Sequence, residues 1–280
     1  SAPVIDTSRM PLTYQIPAQN LFFSYKPIGV KPLALNIDTA FEWKNDKFIK
    51  AGFGNFATPY VETGFSFGDG RKSVMSLHGK YVSSKGNIPF QQYGLFNAEM
   101  LGTFITPSNH EWNTKVYYNN SNQYKYGYNP DTLKFTKDQL QQQFNSVGAS
   151  IGIRNKTVSE MGITYHPELK LDYFFDNHNA QEINALVKAP INKSFGKLAF
   201  DFGITTDITS LTLPATTVKN NIVYINPSLQ FNAADVKLNI GAQPSWDNNA
   251  FAMLPNLTVD AKIKDADFSL QAGWIGYNQK

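Results

Sequence analysis

The stretch IKAGFGNFATPYVETGFSFGDGRKSVMSLHGKYVSS, from Ile49 to Ser84, decides how the chain folds. Its apolar residues recur at every second position: Ala51 and Phe53, then Val61, Thr63, Phe65 and Phe67, then Met75, Leu77, Gly79 and Tyr81. Lys50, Glu62, Ser66, Ser76, His78 and Lys80 fall between them. A period of two is the signature of a β-strand with one oily and one wet face. The GDGRK segment (68–72) between two such runs reads as a hairpin turn. What remains open is whether the oily face meets lipid or a second layer of protein.

The same period runs on to the end of the chain. Phe96, Ala98, Met100, Gly102 and Phe104 share one face, as do Trp112, Thr114, Val116 and Tyr118, and later Leu257, Val259, Ala261 and Ile263. The opposite face carries Asn97, Glu99, Glu111, Lys115, Arg154, Lys170, Asp172, Glu182, Lys188, Asp201, Lys237, Asp260 and Lys262. Each run is about 9 to 12 residues, enough to cross a bilayer at the tilt of a barrel strand. Aromatics gather near run ends (Phe67, Tyr81, Phe104, Trp112, Tyr118, Phe175, Trp274, Tyr277), where a membrane barrel places its girdles. Gly52, Gly54, Gly148, Gly152, Gly203 and Gly241 fall on the wet face, where a lumen needs room.

Composition agrees. Aromatics make up 14% of the 280 residues and charged residues only 17%, a balance that favours strands over solvated helices. The net charge of +3 is scattered along the chain and excludes an obvious nucleic-acid surface. There is no cysteine, hence no disulfide framework or thiolate metal site. The start at Ser1, without an apolar leader, fits a mature exported chain whose signal peptide has been removed. No run approaches the roughly 18 apolar residues of a membrane helix, so a membrane-spanning form must be a closed barrel.

Connectors alternate in length. Short ones are expected at 44–47, 68–72, 106–111, 155–160, 192–197, 232–235 and 264–267. Longer ones are expected at 83–93, 119–144, 207–221 and 244–252, with 176–180 shorter and 55–58 tight. Tight turns on one side and long loops on the other are the habit of outer-membrane barrels. The count is about 13–14 strands, more than a barrel filled by its own side chains accommodates. An odd count leaves Lys280 on the far side, so further strands are expected in the full protein. The fold expected is therefore an antiparallel transmembrane up-and-down β-barrel over residues 33–280, incomplete at its C-terminus. Residues 1–32, with Pro3, Pro11, Pro17, Pro27 and Pro32, read as an extended arm in the periplasm or along the lumen, where it would plug a structural subunit.

KAGFGNFATPYVE (50–62) followed by LHGKYVSSKGNI (77–88) resembles the opening hairpins of outer-membrane barrels from Bacteroidetes, which are porin-like or loosely like TonB-dependent receptors. The resemblance spans roughly residues 46–280 and implies an outer-membrane location and a chain continuing past Lys280. It brings no catalytic or binding residue with it. Neither a compact plug domain nor an energy-coupling box is visible before the barrel, so TonB-coupled import is not expected of this chain.

The candidate functional residues follow from the wet face. Lys80, Glu99, Lys115, Arg154, Asp172, Asp201 and Lys237 are expected to line the lumen, with Lys170–Asp172 and Asp260–Lys262 as same-face ion pairs. In the loop NNSNQYKYGYNPDTLKFTKDQLQQQFN, Tyr124, Tyr126 and Tyr128 with flanking amides suit a sugar or peptide. Thr136 and Gln139 there form the spacing of a capping box, opening a short helix. His78, His110, His166 and His178 are isolated, and no metal motif, nucleophile elbow or carboxylate pair is visible, so neither catalysis nor a metal or other cofactor is expected. The function expected is a passive or partner-assisted pore for small solutes, or the barrel subunit of an envelope assembly, embedded in bacterial outer-membrane lipid among other envelope proteins. The alternative is a soluble or surface-attached β-sandwich binding carbohydrate or protein through loop 119–144.

Overall fold

The computed structural model describes residues 46–129, 131–262 and 268–277. The arm expected over residues 1–32 lies outside them. The strands are β1 (Lys47–Gly54), β2 (Thr58–Gly68), β3 (Ser73–Ser84), β4 (Tyr93–Ile105), β5 (His110–Tyr124), β6 (Gln141–Asn155), β7 (Ile163–Tyr165) and β8 (Glu168–Asp176). They continue with β9 (Gln181–Phe195), β10 (Leu198–Leu213), β11 (Thr216–Ile225), β12 (Ser228–Asn232), β13 (Val236–Asp247), β14 (Ala250–Lys262) and β15 (Ser269–Ile275). A single helical turn, α1 (Lys137–Leu140), precedes β6.

All fifteen belong to one antiparallel sheet, an up-and-down meander in the order β1-β2-β3-β4-β5-β6-β8-β9-β10-β11-β13-β14-β15. β7 and β8 pair with β9 in one unbroken register, and β11 and β12 with both β10 and β13. Each pair is therefore a single strand interrupted at an X-Pro step, His166–Pro167 and Asn226–Pro227, where the ring removes a ladder donor. With these merged, the meander has thirteen crossings.

Register carries the two faces across the whole sheet. On one side Phe65 stands opposite Leu77, Leu77 opposite Met100, Met100 opposite Val116, Val116 opposite Ala149 and Ala149 opposite Leu171. The row continues through Ala185 to Ile208, and farther on Ile240 faces Leu257 and Leu257 faces Trp274. Aromatic pairs mark the edges of this band: Phe104 opposite Trp112 at one end, and Phe96 with Tyr118, ring centroids 6.0 Å apart, at the other. Beyond Tyr118 the same face turns polar, with the Tyr118 hydroxyl and Asn120 Nδ2 both donating to Asn145 Oδ1.

This side is covered by no second layer. The buried hydrophobic residues among those described are Leu140, Ala199 and Ile222 alone, whereas Met100, Val116, Leu171, Ile183 and Ile240 are all open. A β-sandwich of this size would hide a face of each sheet in a shared core, so the sandwich alternative is set aside. The molecule has the fold of a transmembrane β-barrel wall.

Two connectors differ from expectation. Residues 207–221 and 244–252 were expected as long loops, but β10 and β11 close around Pro214 and Ala215, and β13 and β14 around Asn248 and Asn249. The run DITSLTL keeps a two-residue alternation, and its Asp, Thr and Ser side chains resemble turn chemistry only when read without a partner strand. Thr209 lies opposite Asn184, and the Asn184 amide donates to both Thr209 and Asp207. The long connectors are 85–92 and 125–140, both at the end of the sheet that also carries Asn55–Ala57.

Candidate functional site

The wet face of β1 to β8 gathers charge by register. The β2–β3 hairpin sets Glu62 opposite Lys80, and β3 against β4 sets His78 opposite Glu99. Glu62 takes Lys50 Nζ at 3.3 Å, the Tyr60 hydroxyl at 2.6 Å and His78 Nε2 at 3.0 Å. His78 Nδ1 is 3.9 Å from Glu99, whose other oxygen pairs with Lys115 Nζ at 3.2 Å. Two strands on, Lys170 Nζ lies 2.8 Å from Asp172 Oδ2, and the Tyr117 hydroxyl donates to Asp172 Oδ1. Tyr117 reaches Asp172 by lying across Gly148, where a Cβ would come within 2.5 Å of both the ring and the carboxylate.

Of the residues expected to line a lumen, Lys80, Glu99 and Lys115 thus surround one hollow of about 540 Å³, shared with His78, Asn97, Tyr117 and Lys170. Asp172 is tied to it through Tyr117 and Lys170. Glu99 and Lys115 pair within it, Lys170 pairs with Asp172, and Lys80 Nζ lies 5.6 Å over the Tyr60 ring.

Arg154 and Asp201 belong to a second hollow of about 710 Å³, walled by amides from Asn155, Asn192, Asn226, Asn239 and Asn256. Arg154 is anchored by Glu111, with Nη2 at 2.8 Å and Nε at 2.9 Å from Oε1. Asp201 Oδ1 accepts from Asn192 at 2.6 Å, while its buried Oδ2 has no hydrogen-bond partner among the described residues. Here β7 peels away from β6, and the Asn155 side chain fills the gap: Tyr165 N donates to Oδ1, and Nδ2 donates to the Ile163 carbonyl, each at 2.9 Å. Lys237 stands apart, opposite Asp260 and Asn232. The expected Asp260–Lys262 ion pair is not formed; both side chains sit where β14 meets the edge strand β15, and Lys262 faces Ser269 instead.

The third place is the end carrying the long connectors. Tyr124 and Tyr126 line a pocket of about 410 Å³ with Phe56, Ser84, Asn87, Gln91, Gln92, Tyr93 and Gln123. Tyr128 does not line it but packs against Phe90 and, edge-on, against Phe135 at 5.1 Å. Phe90 in turn lies 6.2 Å from Tyr124. The segment folds back through α1, whose capping box is present: Thr136 N donates to Gln139 Oε1, and Gln139 N to Thr136 Oγ1. The Asn55–Ala57 turn is pinned to the next loop by Lys85 N donating to the Phe56 carbonyl at 3.0 Å.

Sequence reasoning overlooked His78, Glu62 and Tyr117, each of which looks isolated along the chain. Their signal is cross-strand: the GDGRK turn sets Glu62 beside Lys80 and one strand from His78, whereas Tyr117 meets Asp172 from two strands away. It also overlooked Phe56, Phe90 and the Gln91–Gln92 pair, which come from different connectors and have no shared local pattern.

An amphipathic antiparallel meander of this length, oily outside and charged within, defines the class of outer-membrane β-barrel folds. No family model matches the chain and no curated protein is similar to it in sequence. Among solved structures it is similar to the siderophore receptor PirA of Pseudomonas aeruginosa, with a TM-score of 0.60 and 11% identity over 77% of this chain and 40% of that one. It is likewise similar to Pseudomonas aeruginosa FpvA bound to heterologous pyoverdines, with a TM-score of 0.57 and 8% identity over 81% of this chain and 41% of that one. The chain thus spans about two fifths of the length of these receptors.

Proposed function

We propose that the protein resides in the bacterial outer membrane and forms the wall of a transport barrel, passing small solutes passively or with a partner, or serving as the barrel subunit of a larger envelope assembly. The observation that carries this is the apolar face kept in register over thirteen crossings, opposite a face of linked charges. Lipid suits the first and water the second. The fold shared with the siderophore receptor PirA and with FpvA and the Bacteroidetes-like opening hairpins support the reading.

β1 pairs only with β2, and β15 only with β14, among the described residues. An unpaired edge is unstable in hydrocarbon, so in the membrane these edges are met by further strands, from the same chain or a partner. The lumen would be lined by Lys80, Glu99, Lys115, Arg154, Asp172, Asp201 and Lys237, with the 125–140 segment screening entry. The test is to reconstitute the full-length protein in planar bilayers after confirming detergent extraction and heat-modifiable migration. Discrete conductance steps support a pore. Heat-modifiable protein without conductance points to the subunit role, and recovery in the aqueous fraction overturns the membrane reading altogether.

A further inference from the structure

The mouth pocket between the Asn55–Ala57 turn, the 85–92 loop and the end of β5 has a lining of unusual chemistry. None of its residues is Lys, Arg, Asp, Glu or His, although the loops around it carry Lys85, Lys125 and Lys137. Lys137 does not line it, although its Nζ stands 5.8 Å over the ring of Tyr124, which does. In place of charges the wall offers carboxamides and aromatic rings. Gln91 Oε1 is engaged by the Asn87 amide N–H at 3.1 Å. The side-chain amides of Asn87, Gln92 and Gln123 have no hydrogen-bond partner among the described residues, and Tyr126 is 57% exposed with no ring contact.

The pocket is also held in shape. Phe56 (φ 60°) and Phe90 (φ 67°) both occupy the left-handed region, which strains a non-glycine residue and persists only where surroundings impose it. The Phe56 carbonyl is bonded to Lys85 N, and the Phe90 ring is set between Tyr124 and Tyr128. A volume of about 410 Å³ lies within the range of small-ligand sites.

We infer that this mouth pocket binds a neutral oligosaccharide, whose hydroxyls pair with Asn87, Gln92 and Gln123 and whose apolar ring face stacks on Tyr126. A carboxamide both donates and accepts, as a hydroxyl does, and an exposed phenol ring offers a flat surface to sugar C–H groups. A charged peptide would find no partner charge in this wall. The inference rests on the outer-membrane reading, since it places the pocket on the outer side of the barrel.

The test uses full-length protein in nanodiscs, titrated calorimetrically with neutral α-glucan, β-glucan, mannan and xylan hexasaccharides and, in parallel, with neutral and charged hexapeptides. Binding of at least one glycan is expected. Tyr126→Ala should weaken it about tenfold or more, Tyr126→Phe should retain it, and Gln92→Ala should weaken it without touching an aromatic. Binding of none of the glycans, binding of peptides in their place, or indifference to both Tyr126→Ala and Gln92→Ala overturns the inference. Heat-modifiable migration and conductance are measured on the same samples, so a chain that is not a membrane barrel is recognised independently of any sugar.

Discussion

Met100 and Leu101 are neighbours in β4 that face opposite solvents, and exchanging each for arginine tests the assignment of faces directly. Met100 looks outward between Leu77 and Val116, four residues from Phe96 and four from Phe104, the two aromatics that bound the band. At about 3.3 Å per residue it is roughly 13 Å along the strand from either, or about 10 Å in depth at a tilt near 40°. That is close to the bilayer midplane. A charge there costs about 2–4 kcal/mol on the lipid face of a barrel, a loss of roughly 30- to 1,000-fold in the folding equilibrium. Leu101 faces the wet side opposite Ser76 and Lys115. Arginine at that position meets water and one like charge, so Leu101→Arg should cost at most about 1 kcal/mol. The assay is reversible guanidinium titration of the full-length protein in phosphatidylcholine vesicles, followed by tryptophan fluorescence and heat-modifiable migration. If Leu101→Arg proves as costly as Met100→Arg, or costlier, the outward face does not meet lipid and the reasoning fails.

Two further outcomes follow from local geometry. In the turn between β2 and β3, Asp69 Oδ1 accepts the backbone N–H groups of Ser73, Arg71 and Lys72 at 2.8, 3.0 and 2.7 Å, and these bonds hold its carboxyl down to about 2, below its ordinary value of 3.8. A depressed carboxylate stabilises the turn above its unfolded value and loses that contribution as pH falls through about 2; amide exchange at Ser73 should therefore stay protected down to pH 3 and become fast at every pH in Asp69→Ala, which has no acceptor. At the β6–β7 gap, Asn155→Ala removes the acceptor of Tyr165 N and both side-chain donors, a loss of about 1–3 kcal/mol. Asn155→Asp keeps the acceptor, so exchange at Tyr165 should rise in the first variant and stay slow in the second.

Much of the fold was legible because a two-residue period is a local property. The face carrying Val116, Leu171 and Leu257 could be read off the chain, and the thirteen crossings agree with the count made from runs and turns. What was hidden needed a partner strand to become visible. DITSLTL reads as loop until Asn184 and Asn220 are set beside Thr209. The three tyrosines of the 119–144 segment drew notice, but only two reach the mouth pocket. Tyr128 is taken up by Phe90, a residue from another connector and itself in a left-handed conformation that no sequence pattern announces. The capping box was readable because both of its bonds lie within four residues.

The X-Pro interruptions have a mechanical meaning. Pro167 and Pro227 do not stand alone: His166 N bonds the Pro190 carbonyl, Pro190 pairs with Gly203, Gly203 with Asn226, Ala242 N bonds the Pro227 carbonyl and Ala242 pairs with Pro255. Four rings that lack an amide hydrogen thus lie on one line across six strands, with Gly203 and Ala242 between them, beside the amide-walled hollow. Each of those rings withholds one donor from the ladder, so on that line the wall is fastened by the bonds of the residues between them, such as the reciprocal pair of Gly203 and Asn226.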